Sequence, residues 1–194
     1  SFAVRNAAPG SEESRVARCF PGGGANLNAI TRGVVAGKSL DRWQHARLFA
    51  MVNIAVNDAL ISTFPAKFHY NFWRPYTAIP WADDGNPLTQ SDPTWTTYIT
   101  TPPYPDYPCG LPTTMGAGAQ VMRSYFGTDQ LPYTLTAAGI TRSYTRLSDA
   151  ESDSVDARVY GGIHFRFGCE AGVVQSRKVG KWVYLTQLRA NHRR

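Results

Sequence analysis

Apolar residues become dense between Leu48 and Leu60, where nearly every side of a helical projection is hydrophobic. Ser39 stands just before this region and can cap a helix that runs from Leu40 to about Phe64. A helix that is apolar all round is typical of a buried position. We therefore expect this segment to form the central helix of the fold.

Prolines divide the chain after this helix. Pro65 can begin a new helical turn, and Pro75 disfavours a helical conformation for the residue before it. Residues 66–74 are therefore predicted to form a separate short helix. The stretch 76–108 holds seven of the 13 prolines of the chain. A loop of this length inside a compact domain is usually functional.

Two further helical regions follow the loop. Small residues dominate Thr113–Phe126, with Pro112 at a favourable first position and Gly127 as a stop signal. The sequence Ser148-Asp149-Ala150-Glu151 has the spacing of a capping box and predicts a helix to about Phe167, followed by a last helix from Glu170 to about Leu188.

The fold class that these patterns indicate is all-α, a helical bundle. No segment shows a convincing alternation of apolar and polar residues. Residues 1–38 show no sustained period, so we expect an N-terminal arm or loops there, with a short helix near Leu27–Val35. Residues 39–194 are predicted to form the helical bundle domain.

Composition narrows the function classes. The net charge is +6, but basic residues are interspersed with acidic ones and no nucleic-acid-binding module is present, so no nucleic-acid partner is expected. The apolar stretch is interrupted by Asn53, Asn57 and Asp58, which predicts a soluble protein without a membrane span or signal peptide. The compartment stays open.

The cysteines give no site by their spacing. The sequence has three cysteines, Cys19, Cys109 and Cys169, and no two of them form a Cys-x-x-Cys pair. No pair of histidines is placed to complete a zinc site either, which argues against a zinc motif. At most one intrachain disulfide could form.

Basic residues and one histidine have suggestive spacings. Lys67 and Arg74 would share one face of a continuous helix. Arg158 and His164 flank two glycines, and Gly110 stands at the start of a predicted helix, where free N–H groups favour an anion. A single lysine or arginine is usually a solvated surface residue, however, so spacing alone does not join these pieces into one site.

These residues fall into three motifs that together resemble the motifs of a known superfamily. Lys67-x6-Arg74-Pro75, Pro108-Cys109-Gly110-Leu111 and Arg158-x5-His164 resemble, in order, the motifs of the vanadium-dependent haloperoxidases and the related type 2 phosphatidic acid phosphatases. The similarity covers about residues 40–188. The segment from His164 to Gly172 is similar to the bacterial haloperoxidase-like branch in particular. In that superfamily the domain is a helical bundle, normally part of a longer chain.

The resemblance implies a role for each position. Lys67, Arg74 and Arg158 would neutralise the oxygens of vanadate or phosphate through charge-assisted hydrogen bonds. Gly110 would donate its backbone N–H. His164 would bind the vanadium of vanadate in a peroxidase, or attack phosphorus in a phosphatase. Lys67 would also polarise bound peroxide, which makes Lys67 and His164 the expected catalytic residues.

Three positions depart from the superfamily pattern. Cys109 replaces a serine, and Leu111 replaces the histidine that transfers protons. Gly168 stands where the resemblance predicts the aspartate that orients the axial histidine, and Glu170 is the nearest candidate to replace it. Whether the chain is an active enzyme therefore stays open.

Three functions remain as alternatives. The first is a vanadate-dependent haloperoxidase that oxidises halide with hydrogen peroxide and acts on an organic acceptor. The second is a phosphatase that works through a phosphohistidine. The third is a catalytically weakened homologue that keeps oxyanion binding or only the scaffold. Because the family's upstream helices are missing from this sequence, Leu48–Ile61 would expose apolar surface, which predicts a homo-oligomer or a companion chain.

Overall fold

The computed structural model describes residues 10–20, 25–81 and 85–189. In chain order these form α1 (Glu12–Cys19), α2 (Ala25–Val35), α3 (Arg42–Tyr70), α4 (Pro75–Ala78), α5 (Gly110–Phe126), β1 (Tyr133–Ala137), β2 (Ile140–Tyr144), α6 (Leu147–Tyr160) and α7 (Arg166–Thr186). The predicted helical bundle is confirmed.

Helix α3 is one continuous helix of 29 residues, where the sequence predicted two. Its cap is Asp41 instead of Ser39, because the Asp41 carboxylate accepts hydrogen bonds from the backbone N–H of Trp43 and Gln44. Pro65 lies inside the helix and deprives the carbonyl group of Ile61 of its usual donor. Ile61 lies on the exposed side of α3, where water can replace that donor. The predicted break at Pro65 was therefore wrong.

The centre of the bundle is α5, which packs against α3 and α7. Close contact between α5 and α7 depends on glycine. A Cβ atom on Gly172 would lie 2.8 Å from the carbonyl oxygen of Cys109, and one on Gly180 would lie 2.9 Å from the Cβ of Gln120. These two glycines of α7 thus permit the close approach of α5 and α7.

Replacing Gly180 with alanine is expected to lower the free energy of unfolding by about 1–3 kcal/mol, because the added methyl overlaps the backbone carbonyl of Ala117. Urea denaturation monitored by circular dichroism measures the change. Lys181→Ala, at an exposed position on the same helix, is the matched control. Equal stability of Gly180→Ala and the control would contradict the tight packing.

A β-hairpin interrupts the helical pattern, and the sequence analysis missed it. Strands β1 and β2 pair antiparallel, with Tyr133 opposite Tyr144. Ala138 and Gly139 form the tight turn with positive φ angles of 50° and 74°. The alternation was present in Tyr-Thr-Leu-Thr-Ala, where Tyr133 and Leu135 are buried and the threonine that follows each of them is exposed. It is too short to stand out from irregular sequence.

The boundary between the last two helices also differs from the prediction. Helix α6 ends at Tyr160, and α7 begins at Arg166, so His164 lies in the connection between them. Gly162, at a φ of 72°, helps the chain to turn. The expected capping box does not form, because α6 begins at Leu147 and Ser148 lies inside its first turn, where the hydroxyl donates to Asp129.

The N-terminal segment contributes to the core where it is described. Helix α2 confirms the short helix expected near Leu27–Val35, and α1 adds a second helix in the segment predicted as an arm or loops. Phe20, Leu27 and Ile30 are buried in the main hydrophobic cluster. Residues 1–9 and 21–24 of this segment lie outside the described part, and the domain boundary at residue 38 stays a prediction.

The segment Arg42–Ala78 is long and apolar enough to cross a membrane, by length and composition only. The core helix of a soluble protein satisfies the same test, and α3 packs against α5 and α7. Asn53, on α3, exchanges side-chain hydrogen bonds with Asn28 of α2. The absence of a membrane span stays a prediction.

Candidate functional site

Lys67 lies at the C-terminal end of α3 and is completely buried. Its ammonium group donates hydrogen bonds to the carbonyl oxygens of Pro105 and Asp106, at 3.0 and 2.8 Å. Burial lowers the pKa of Lys67 from 10.5 to about 8. These hydrogen bonds from the Lys67 ammonium group therefore hold the proline-rich loop against α3.

Arg74 contacts the same loop from the segment that connects α3 to α4. Asn71 ends α3 in a left-handed conformation, and Arg74 is the extended residue before α4. The prediction that Lys67 and Arg74 share the face of one helix was therefore wrong. Both cations nevertheless lie over the ring of Tyr104, at 5.0 and 4.9 Å from its centroid. The turn at Asn71, and not helical periodicity, brings them together.

The Arg74 guanidinium is buried and only partly satisfied. Its Nε donates to the carbonyl oxygen of Tyr104 and its Nη1 to that of Ile163, both at 2.6 Å. Nη1 also lies 3.3 Å from Nε2 of His164. Nη2 is buried without a hydrogen-bond partner. This nitrogen is available for an acceptor that is not part of the chain.

Arg158 approaches His164 from the last turn of α6. Its Nη2 donates to the carbonyl oxygen of Phe20, which ties α6 to the end of α1. Its Nε is buried without a hydrogen-bond partner. Burial lowers the pKa of Arg158, although an arginine stays protonated at neutral pH. The structure thus places a second incompletely satisfied guanidinium near the first.

His164 is oriented by Asp106, a residue that the sequence analysis missed. The histidine Nδ1 lies 3.1 Å from the Asp106 Oδ1. Neither atom forms a well-directed hydrogen bond, so the contact is mainly electrostatic. Because an arginine can only donate, Nε2 facing Arg74 must carry the lone pair when His164 is neutral, and Nδ1 then carries the proton.

Asp106 occupies the space that Gly168 leaves open. A Cβ atom on Gly168 would lie 3.0 Å from the Asp106 Oδ1. The aspartate is held by its own N–H, which donates to Phe72, and by the Phe165 N–H, which donates to Oδ2. Glu170, the replacement suggested by the sequence, is exposed. The carboxylate beside His164 therefore comes from the proline-rich loop and not from α7.

Gly110 and Leu111 form the first turn of α5, where backbone N–H groups have no helical partner. Both residues line a cavity of about 600 Å³. Arg158 and His164 lie in the wall of the same cavity. Leu111 puts an apolar side chain there, so the wall holds no proton donor at that position.

Two cysteines lie beside His164, although the sequence showed no metal motif. The thiols of Cys109 and Cys169 and a ring nitrogen of His164 are within 4.8 Å of one another, and all three side chains are buried. The cluster spans the first turns of α5 and α7. Sixty residues separate the two cysteines, so no local spacing could have revealed it.

The cluster is electrostatically coupled. Burial alone would raise the pKa of Cys109, but a hydrogen bond from Cys169 and the positive charges of His164 and Arg158 outweigh it, so its pKa lies well below 9.0. Burial raises the pKa of Cys169. For His164, burial is outweighed by Cys109 and Asp106, and its pKa is raised. Each member of the cluster therefore shifts the pKa of its neighbours.

Sequence comparison identifies the bundle. Residues 47–192 match the family described as the VCPO second helical-bundle domain. The chain belongs to this family. The chain is 35% identical over 102 residues to the vanadium chloroperoxidase of Curvularia inaequalis, a match that covers 47% of this chain and 16% of the relative.

Solved structures show the same fold. The first bacterial vanadium-dependent iodoperoxidase superposes with a TM-score of 0.78 and 26% identity, covering 96% of this chain and 46% of that one. A holo-type bacterial vanadium-dependent chloroperoxidase gives a TM-score of 0.73 at 19% identity, covering 89% of this chain and 43% of that one. The chain thus spans less than half the length of these relatives.

Proposed function

We propose that this domain binds vanadate, or phosphate in the same pocket, between Arg74, Arg158 and His164. The observation that carries the proposal is the pair of buried guanidinium groups that each hold a nitrogen without a partner, Arg74 Nη2 and Arg158 Nε. A buried donor without an acceptor is costly, and an oxyanion would satisfy both. The free N–H of Gly110 adds a third donor at the wall of the same cavity.

The neighbouring residues fit a metal-oxide ligand at His164. A histidine ligand needs a neutral nitrogen on one side and a partner for the other ring N–H. Asp106 supplies that partner at Nδ1. Lys67 donates to two backbone carbonyls, so its role is to add positive charge and to offer at most one hydrogen bond.

Halide oxidation with hydrogen peroxide is the reaction that we propose for the loaded domain. Bound vanadate would supply the centre at which hydrogen peroxide is activated toward halide. This chain's own residues would hold that centre and neutralise its charge, but Leu111 cannot move a proton. Since general acid–base catalysis typically contributes 10²- to 10⁴-fold, we expect turnover to be weak. The organic acceptor of the oxidised halide belongs to the same proposal.

Phosphomonoester hydrolysis through His164 is a second candidate. The pairing of His164 with Asp106 favours it, because a carboxylate behind a histidine supports a nucleophile. A leaving alcohol also needs a proton, and Leu111 occupies the cavity wall beside Gly110. We therefore place it behind oxyanion binding, together with a scaffold role that needs no turnover.

Thermal unfolding with added anion tests the binding proposal. Vanadate and phosphate should both raise the melting temperature of the wild-type chain, with saturation at one anion per chain. Arg74→Met/Arg158→Met should abolish the shift, whereas Arg42→Met, at an exposed position of α3, should leave it unchanged. A wild-type chain that vanadate does not stabilise would remove the basis for the proposal.

The affinity for an anion should depend on pH through Lys67. Because burial lowers its pKa to about 8, the free pocket is fully charged below that pH and loses one proton above it. Bound anion would keep the lysine protonated, so affinity should be constant below pH 8 and fall by up to about tenfold per pH unit above it. Calorimetry with sulfate, whose charge is constant in this range, measures the slope.

Lys67→Met is the control for this pH dependence. The variant should bind sulfate more weakly at pH 7 and should lack the decrease above pH 8. If the variant and the wild-type chain showed the same slope, another group would be responsible.

A partner for the apolar face of α3 also stays a proposal. Most of Leu48–Ile61 is at least partly buried. The strongly exposed large apolar side chains of α3 are Trp43 near its start and Ile61, Phe68 and Tyr70 toward its end. A homo-oligomer or a companion chain would cover them. Light scattering after gel filtration distinguishes the two, because a mass of one chain would contradict the homo-oligomer.

A further inference from the structure

The first turns of α5 and α7 place two thiols and an imidazole together in the interior. Cys109 is the residue that caps α5, and its backbone N–H donates to the carbonyl oxygen of Gly168 at 3.0 Å. Cys169 follows in the first turn of α7. Gly172, one turn further on, allows α7 to approach the carbonyl oxygen of Cys109. Backbone packing therefore holds the two segments that carry the thiols against each other.

We infer that Cys109, Cys169 and His164 form a binding site for a soft divalent transition metal, with Zn²⁺ as the ion that the donor set fits best. Two thiolates and one imidazole are ligands that select zinc over the hard cations calcium and magnesium. A tetrahedral zinc with Zn–S bonds of about 2.3 Å holds two sulfurs about 3.8 Å apart. The three ligand atoms lie within 4.8 Å of one another, so shifts of about 1 Å or less complete the geometry.

His164 is prepared to act as a metal ligand. Its Nδ1 faces the Asp106 carboxylate at 3.1 Å, and its Nε2 faces Arg74 and carries the lone pair in the neutral form. A carboxylate behind a ligating histidine fixes the ring and raises its basicity. Asp106 is in turn held by the Phe165 N–H. The carboxylate behind the histidine is thus held in place at Oδ2, while Oδ1 stays directed at the ring.

The charge balance permits a cation despite the nearby basic residues. Lys67, Arg74 and Arg158 surround the cluster, and Asp106 offsets one of them. A divalent ion that displaces the two thiol protons adds two positive charges and removes two, so the formal charge of the site does not change. Binding releases these protons, which makes the metal affinity increase with pH.

The metal site and the oxyanion pocket share His164 and its partner Asp106 but not their other groups. The two arginines and Gly110 serve the anion, and the two cysteines serve the metal. A metal with three protein ligands keeps a fourth position for water or a substrate. The inference does not rest on the proposed function, and the Cys169 thiol separates the two, since only the metal requires it.

Cobalt titration of the reduced full chain tests the site. In a buffer containing a phosphine reductant, Co²⁺ should produce an intense near-ultraviolet thiolate-to-cobalt band that saturates at one ion per chain and that Zn²⁺ abolishes. Cys109→Ser and Cys169→Ser should each weaken binding at least tenfold. Cys19→Ser, which removes the other buried cysteine, should bind as the wild type does. Absence of the band in the wild type, or equal binding by Cys169→Ser, would overturn the inference.

X-ray absorption on the zinc-loaded wild-type chain provides a test that needs no variant to fold. The nearest neighbours of the metal should be two sulfurs at about 2.3 Å and at least one nitrogen at about 2.0 Å. A shell of only oxygen and nitrogen would overturn the inference. Thermal stabilisation by vanadate should survive in Cys169→Ser and be lost in Arg74→Met/Arg158→Met, so failure of one site is distinguishable from failure of the other.

Discussion

Replacing Leu111 with histidine is expected to raise halide-dependent peroxide turnover by about 10²- to 10⁴-fold, the usual contribution of a general acid–base group. The position lies in the first turn of α5, in the wall of the cavity that also contains Gly110 and His164. The cavity, at about 600 Å³, has room for an imidazole in place of the leucine side chain. Bromination of monochlorodimedone with vanadate, bromide and hydrogen peroxide measures the rate.

Leu111→Gln is the matched control, because glutamine is polar and of similar size but does not exchange a proton near neutral pH. Only the histidine variant should gain activity, and its rate should vary with pH around the pKa of an imidazole. Equal rates for the histidine and glutamine variants would show that proton transfer at this position does not limit the reaction.

Replacing Asp106 with alanine is expected to weaken vanadate binding by about 10- to 100-fold, the range typical for the residue behind a metal-binding histidine. The change removes the carboxylate at 3.1 Å from Nδ1 of His164 and leaves that ring nitrogen without its partner. Calorimetry with vanadate measures the affinity. Circular dichroism and the melting temperature establish that the variant is folded.

A second-site change distinguishes orientation of His164 from a general loss of structure. Because a Cβ on Gly168 would point at the Asp106 Oδ1 from 3.0 Å, Asp106→Ala/Gly168→Asp should restore most of the affinity by supplying a carboxylate from α7. Gly168→Asp alone should destabilise the chain, since two carboxylates would compete for one space. Failure of the double variant to bind better than Asp106→Ala would contradict this account.

Much of the site could be predicted from the sequence, because its cations belong to short linear motifs. Lys67, Arg74, Arg158 and His164 were identified on their spacings together with the resemblance, and the structure brings these residues close to one another. The reason given for the first pair was wrong, however. The two cations are brought together by the left-handed turn at Asn71, where φ is 44°, and not by helical periodicity.

Asp106 shows why local sequence was insufficient. Its partner His164 is 58 residues away, and the contact exists only because the proline-rich loop returns across α3 and is held there by Lys67. The one available signal was an acidic residue between prolines, in a loop that was already expected to be functional. Gly168 suggested that the carboxylate beside His164 had been lost, whereas Asp106 supplies it from elsewhere in the chain.

The predicted boundaries of secondary structure were wrong where tertiary contacts outweighed local sequence preference. Pro65 is accommodated inside α3 because the carbonyl that it leaves unpaired belongs to the exposed Ile61. Ser148 donates to Asp129 across the fold instead of capping α6. The hairpin at Tyr133–Tyr144 is only five residues per strand, so its alternation competes poorly with the helical pattern around it.

Vanadium-51 nuclear magnetic resonance of the chain titrated into vanadate tests the central claim most directly. The account predicts that the signal of free vanadate decreases in proportion to added chain, to an end point of one vanadate per chain. Phosphate should restore it, and Arg74→Met/Arg158→Met should leave it unchanged. An undiminished free signal with the folded wild-type chain would contradict an oxyanion pocket at His164.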